Sequence, residues 1–298
     1  MRQPIRIIGS CLGLALAGSA VAAPLPPFKD DLFGYPEPVA SLDGGRRLDV
    51  PYNEARDIDR RDEVPERRVR RQYVELGRDV EAVEKHLTTP KGPLRYAQVG
   101  SSSKGRPTLV FVHGRNGDRR LGLNDWTFGG NFNRLKNLLV RSGGSYVTVD
   151  AGRLGDDDAQ RIGALLAQLK SEADSPELIL ACASMGGQIC WTVATGPAVA
   201  SIDAMILLGS DSNPQRFEAT RRARGGSLPI FMAHGTRDKV YAFDRQLAAY
   251  EAVRKRWPTD PIRFIGFDDG NHGTPIRMVD WRDTLNWIAA SASPVAAR

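Results

Sequence analysis

What most constrains this chain is a rhythm: short apolar runs bounded by glycine or by polar turns alternate with stretches of helical spacing. The runs are Leu94–Val99, Thr108–Val112, Tyr146–Val149, Leu178–Ala181, Ala204–Leu208, Ile230–Ala233 and Ile262–Phe267. Between them, Phe132–Val140 has helical periodicity and is stopped by Gly143 and Gly144, while Ala159–Leu169 carries apolar residues at 162, 165, 166 and 169. Phe243–Trp257 and Trp281–Ala290 read as further helices. Continuous apolar strands alternating with amphipathic helices predict an α/β fold whose mostly parallel sheet is covered on both faces. In such sheets the functional loops gather at the carboxyl ends of the strands.

One of those ends has a shape that matters chemically. Leu178-Ile179-Leu180-Ala181-Cys182-Ala183-Ser184-Met185-Gly186-Gly187 is an apolar strand, a tight turn with serine at its tip, and a helix start. A serine on a sharp strand-to-helix turn projects its hydroxyl away from the backbone, at the positive end of a helix dipole. The residues around it must be small, because strand and helix nearly collide there. Gly186 meets that demand, and Cys182 stands where glycine is usual. Ser184 is therefore the candidate nucleophile.

The histidines are few: 86, 113, 234 and 272. In a strand-turn-helix serine site the acid and the histidine follow the serine in that order. His234 ends a strand and reads as packed, whereas His272, in Asp269-Gly270-Asn271-His272-Gly273, sits in a glycine-flanked turn after the last strand. His272 is the candidate base. Asp238, in the turn beyond Ile230–Ala233, is the candidate acid, placed to hold the imidazole tautomer and stabilise the imidazolium. Asp211, after the preceding strand, is the alternative acid, with a helix cap or a surface loop as its bland role.

Val112-His113-Gly114-Arg115-Asn116-Gly117 is a glycine-rich loop after an apolar strand. Backbone N–H groups of Arg115 and Met185 are the candidate oxyanion donors, with His113 and Gly114 as loop support. No metal site is expected, since neither an H-E-x-x-H pattern nor a Cys/His cluster occurs.

With His113-Gly114, Ser184-Met185-Gly186-Gly187, Gly235-Thr236-Arg237-Asp238 and Gly270-Asn271-His272-Gly273 in that order, the chain from about Leu94 to Ala290 resembles the α/β-hydrolase superfamily, and within it the serine esterase and lipase-like members. The resemblance implies a Ser184–Asp238–His272 triad, no cofactor and a small-molecule ester or acyl substrate. Amide or peptide cleavage, or acyl transfer, with the same triad is the alternative. A non-catalytic binding protein on this fold is the reading from another class, and such proteins usually lose a triad residue. The short Pro214–Ser227 stretch leaves no room for a large cap domain. Arg115, Arg119, Arg120, Arg153, Arg221, Arg222 and Arg224 lie in or beside strand-end loops. If several faced the pocket they would suit a carboxylate or phosphate, but a solvated basic surface is the preferred reading.

The organisation then reads as residues 1–22 a signal peptide, 23–71 a charged N-terminal arm and 72–298 the hydrolase domain. Arg2 and Arg6 precede an apolar run, and Ala20-Val21-Ala22 fits small-x-small cleavage. The run is too short for a spanning helix, so the protein is expected to be periplasmic or secreted, without stable membrane insertion. Arg46-Arg47, Arg60-Arg61, Arg67-Arg68 and Arg70-Arg71 alternate with acidic residues, which reads as an arm packed by local ion pairs. The formal charge of +6, or +4 without Arg2 and Arg6, comes without basic runs interleaved with aromatics, so no nucleic-acid partner is expected. Cys182 and Cys190 are read as buried thiols, because a helix packs about 10 Å from its sheet and bridged Cα atoms lie under about 7 Å apart, with a bridge left as the alternative because close packing at Gly186 and Gly187 narrows that gap.

Overall fold

The computed structural model describes residues 24–172 and 177–292. The signal-peptide reading of residues 1–22 lies outside them. Twelve strands occur among the described residues: β1 Ala40–Leu42, β2 Arg47–Pro51, β3 Asp62–Val64, β4 Arg68–Val69, β5 Val83–Thr89, β6 Gly92–Gly100, β7 Pro107–Val112, β8 Ser145–Val149, β9 Glu177–Ala183, β10 Ala204–Leu208, β11 Ile230–Gly235 and β12 Ile262–Asp268. The helices are α1 Asp30–Phe33, α2 Arg119–Leu123, α3 Asn131–Arg141, α4 Asp156–Glu172, α5 Gly187–Thr195, α6 Pro214–Arg224, α7 Phe243–Arg256, α8 Thr274–Met278 and α9 Trp281–Ala292.

Ten strands form one sheet in the order β1-β2-β12-β11-β10-β9-β7-β8-β6-β5, while β3 and β4 pair separately. From β2 to β8 every neighbouring pair is parallel. The β1–β2, β6–β8 and β5–β6 pairs are antiparallel.

Alternation along each central strand sends side chains to two cores. Ile179, Ala181 and Ala183 of β9 face one, and Leu178, Leu180 and Cys182 face the other. Phe132, Leu135 and Leu138 of α3 and Trp281, Leu285 and Ile288 of α9 cover the first. Ile162 and Leu165 of α4, Ile189 of α5, Phe217 of α6 and Tyr250 of α7 cover the second. With both faces buried, the strands can be apolar throughout, which is why they were legible as continuous runs. Between β10 and β11 there is only α6, and no cap is inserted.

The charged segment is no separate arm. β2 pairs with β12, and β1 extends the sheet beyond it. The expected local ion pairs form, Arg47 with Asp49 at 3.1 Å, Arg56 with Asp57 at 2.7 Å and Arg68 with Glu63 at 3.1 Å, but long-range pairs join them: Asp43 with Arg254 at 2.6 Å, Arg47 with Glu251 at 3.3 Å, Asp30 with Arg134 at 2.9 Å and with Arg282 at 2.8 Å. β2 escapes a pattern search because, of its five residues, only Val50 is fully buried.

Cys182 and Cys190 are not free thiols: they form a disulfide, with Cα atoms 6.1 Å apart. The 10 Å spacing of sheet and helix is measured to the helix axis, whereas a Cα facing the sheet lies about 2.3 Å nearer. Cys190 is also within the first turn of α5, before helix and strand diverge.

Candidate active site

Ser184 follows the last residue of β9 and has φ of 51°. This left-handed conformation is costly for a side-chain-bearing residue, and such strain collects where function demands it. The elbow is held by contacts that leave no room for a Cβ. One built on Gly186 would stand 2.3 Å from the His113 carbonyl oxygen, and one on Gly187 would stand 2.5 Å from Ser210 Cβ. The turn is thereby wedged between the ends of β7 and β10.

Three of the residues singled out by sequence converge. Ser184 Oγ lies 2.8 Å from His272 Nε2. His272 Nδ1 lies 2.7 Å from Asp238 Oδ2. The other carboxylate oxygen, Oδ1, accepts the backbone N–H groups of Val240 at 2.7 Å and Tyr241 at 3.0 Å. Burial raises the Asp238 pKa, but the hydrogen bond from His272 and those two backbone donors outweigh it, so the carboxyl is held below its ordinary value. The Asp238 side chain is wholly buried, while that of His272 keeps 28% of its surface exposed. An ionised acid inside and a reachable imidazole outside is an arrangement that can accept a proton from Ser184.

The glycine-rich loop lies against the serine. A Cβ on Gly114 would come within 3.0 Å of Ser184 Cβ. His113 is buried, and its Nε2 accepts the Ala151 N–H at 3.0 Å. Nδ1 must then carry the proton, which it donates to the Gly114 carbonyl at 2.7 Å. His113 thus braces this loop from beneath. Met185 follows Ser184 in the chain, and Arg115 follows Gly114.

Asp211 is elsewhere. Its Oδ1 accepts from Gln246 Nε2 at 3.1 Å, and its carboxylate lies 3.7 Å from Arg216 and Arg245. His234 is buried, as its strand-end position suggested, and stacks on Phe264 with ring centroids 6.0 Å apart. Desolvation lowers its pKa to about 4, against the attraction of Asp238.

Most of the strand-end arginines are engaged. Arg119 pairs with Glu84 and Asp150, Arg120 with Asp118, Arg221 with Asp260 and Arg222 with Glu218. Arg224 donates to the carbonyls of Val199 and Ile202. Arg115 and Arg153 are exposed. Among the described residues no group of three or more His, Cys, Asp or Glu could hold a metal ion, and no helix is long and apolar enough to cross a membrane.

Sequence reasoning missed Tyr241, whose ring lies 5.8 Å from that of His272. Its only signal was its place three residues after Asp238.

A model of the Alpha/beta hydrolase family matches residues 109–296, and the chain belongs to that family. No curated protein matches the chain in sequence. Solved structures share its fold. A feruloyl esterase module from Clostridium thermocellum, in complex with sinapinate, aligns with a TM-score of 0.58 at 14% identity over 79% of this chain and 97% of that one. The Pyrococcus furiosus esterase Pf2001 aligns at 0.53 and 14% identity, over 74% and 98%. An alpha-beta serine hydrolase homologue from Coxiella burnetii aligns at 0.50 and 16% identity, over 68% and 95%.

Proposed function

We propose that this protein is a serine hydrolase that cleaves small carboxylic esters through an acyl-serine intermediate. The observation that carries the reading is the unbroken hydrogen-bonded line from Ser184 Oγ through His272 to Asp238, with links of 2.8 and 2.7 Å. Ser184 Oγ attacks the ester carbonyl carbon as its proton passes to His272 Nε2. The resulting oxyanion sits against the backbone N–H groups of Met185 and Arg115, and Asp238 stabilises the imidazolium. His272 then returns the proton to the departing alkoxide, leaving acyl-Ser184. A water molecule, deprotonated by His272, attacks the acyl carbon and releases the acid and free Ser184.

We further propose that the protein works outside the cytoplasm. The charged and apolar start of the chain supports export, and the Cys182–Cys190 bridge suits an oxidising compartment.

A fluorophosphonate probe tests the first proposal. The folded protein should label, while Ser184→Ala and heat-denatured protein should not, and a screen of acetate to octanoate esters should find turnover lost in Ser184→Ala. A folded protein that neither labels nor turns over any ester would be a binding protein on this fold.

A further inference from the structure

The family match begins at residue 109, yet a segment well before it reaches the same edge of the sheet as the triad. β2 runs parallel to β12, with Pro51 opposite Asp268, so the chain leaves β2 at the carboxyl edge beside the turn that carries His272. The Tyr52 N–H donates to the Asp268 carbonyl at 3.0 Å. Tyr52, Ile58 and Glu66 of the segment that follows line one side of a half-open cavity of about 260 Å³.

Tyr52, Ile58 and Phe128 give this cavity aromatic and aliphatic walls, and Thr274 and Arg277 come from α8. Asn271 and Gly273, the two chain neighbours of His272, also line it. Phe128 lies between α2 and α3 and is tied to the segment by Arg61, whose Nη2 donates to the Gly129 carbonyl at 2.7 Å. The segments after β2, α2 and β12 therefore share one hollow.

Buried charges lie under it. Arg277, only 5% exposed, donates from Nε to the Asp57 carbonyl at 2.9 Å and pairs through Nη2 with Asp62 at 2.5 Å. Arg61 is buried beside it, and burial and then the Arg277 charge pull its pKa down to about 10. Asp57 and Asp62, both buried, are the carboxylates that answer these two guanidinium groups, and Asp57 also pairs with the more exposed Arg56 at 2.7 Å. Among the residues that line the cavity the charged ones are buried Arg277 and exposed Glu66, and solvent screens the latter.

We infer that this cavity is the subsite for the alcohol half of the ester, and that it takes an aryl group carrying a carboxylate or another acceptor oxygen. The side of the scissile bond follows from the proposed mechanism, on which this inference rests. His272 must reach the leaving oxygen to protonate it, so the leaving group departs towards the turn that holds His272. Flat walls suit a ring, and the Arg277 guanidinium in the lining suits an acceptor oxygen on that ring.

Esters with one acyl group and three alcohols test this: ethyl acetate, phenyl acetate and 4-acetoxybenzoate. Tyr52→Ala should lower kcat/KM for phenyl acetate at least tenfold relative to ethyl acetate. Arg277→Met should lower it at least tenfold for 4-acetoxybenzoate relative to phenyl acetate. If Arg277→Met does not fold, Tyr52→Ala and Phe128→Ala decide. Equilibrium binding of 4-hydroxybenzoate to Ser184→Ala reads the subsite without turnover and should be lost in the Ser184→Ala, Tyr52→Ala double variant. Wild-type protein that fails to label with fluorophosphonate yet binds 4-hydroxybenzoate through Tyr52 would reject the triad and with it the alcohol-half assignment, while keeping the cavity as an aryl-binding site. Labelling with unchanged ester ratios, or with 4-hydroxybenzoate binding indifferent to Tyr52, would reject the subsite alone.

Discussion

Asp238→Asn separates the role of the acid from its mere presence. Oδ1 accepts two backbone N–H groups, from Val240 and Tyr241, and Oδ2 accepts from His272 Nδ1 at 2.7 Å. An asparagine amide cannot put its NH₂ against two donors, so its carbonyl must take the Oδ1 place and its NH₂ must face His272. The imidazole then accepts at Nδ1 and carries its proton on Nε2, against Ser184 Oγ. The base is occupied before the reaction starts. A wrong tautomer of this kind costs about 10⁴-fold in kcat, roughly 5.5 kcal/mol of transition-state stabilisation. The backbone hydrogen bonds survive, so thermal unfolding should move little. Initial rates on phenyl acetate, read beside the rate of fluorophosphonate labelling, would measure the loss. Asp211→Asn, whose carboxylate contacts Gln246 rather than His272, should stay within a few-fold of wild type. Activity within tenfold of wild type in Asp238→Asn, or an equal loss in Asp211→Asn, would refute this reasoning. Because the folded pKa of Asp238 is depressed, its ionised form contributes stability that is complete above the unfolded value of about 4 and is lost only as pH falls through the folded one.

Three other perturbations follow from the packing. Replacing Cys182 and Cys190 together by alanine reopens a bridge spanning eight positions, which should cost about 2 to 3 kcal/mol, a fall of roughly 5–10 °C by calorimetry; an unchanged Tm would mean the bridge does not form. His234→Phe should keep the stack on Phe264 and flatten the acid side of the stability profile. Between pH 6.5 and about 4 the unfolded chain binds a proton that buried His234 excludes, so wild-type stability falls by up to about 3 kcal/mol there, and matching urea midpoints for both proteins at pH 7 and at 4.5 would contradict this. Gly186→Ala places a Cβ 2.3 Å from the His113 carbonyl and must push the loop after β7 away from Ser184. We expect about 1–3 kcal/mol of destabilisation with a larger proportional loss of turnover in the protein that remains folded; full activity would show the elbow has slack.

Much of this protein was legible in its sequence for a specific reason. Strands buried on both faces must be apolar at every position, so β7, β9, β10, β11 and β12 stand out as runs, and their ends mark the loops where Ser184, Asp238 and His272 sit. Local composition does not register partners that are distant in the chain. β2 has one fully buried residue among polar ones and becomes a strand only because β12 offers it an edge. β5 is solvent-facing along most of its length and carries no alternation. The disulfide depended on how closely α5 begins to β9, a distance no spacing rule contains. The cavity beside His272 needed residues from positions 52, 128 and 277, brought to one sheet edge by strand register alone. Chemistry carried by a single turn can be read along the chain; chemistry shared between loops exists only once the sheet has set their order.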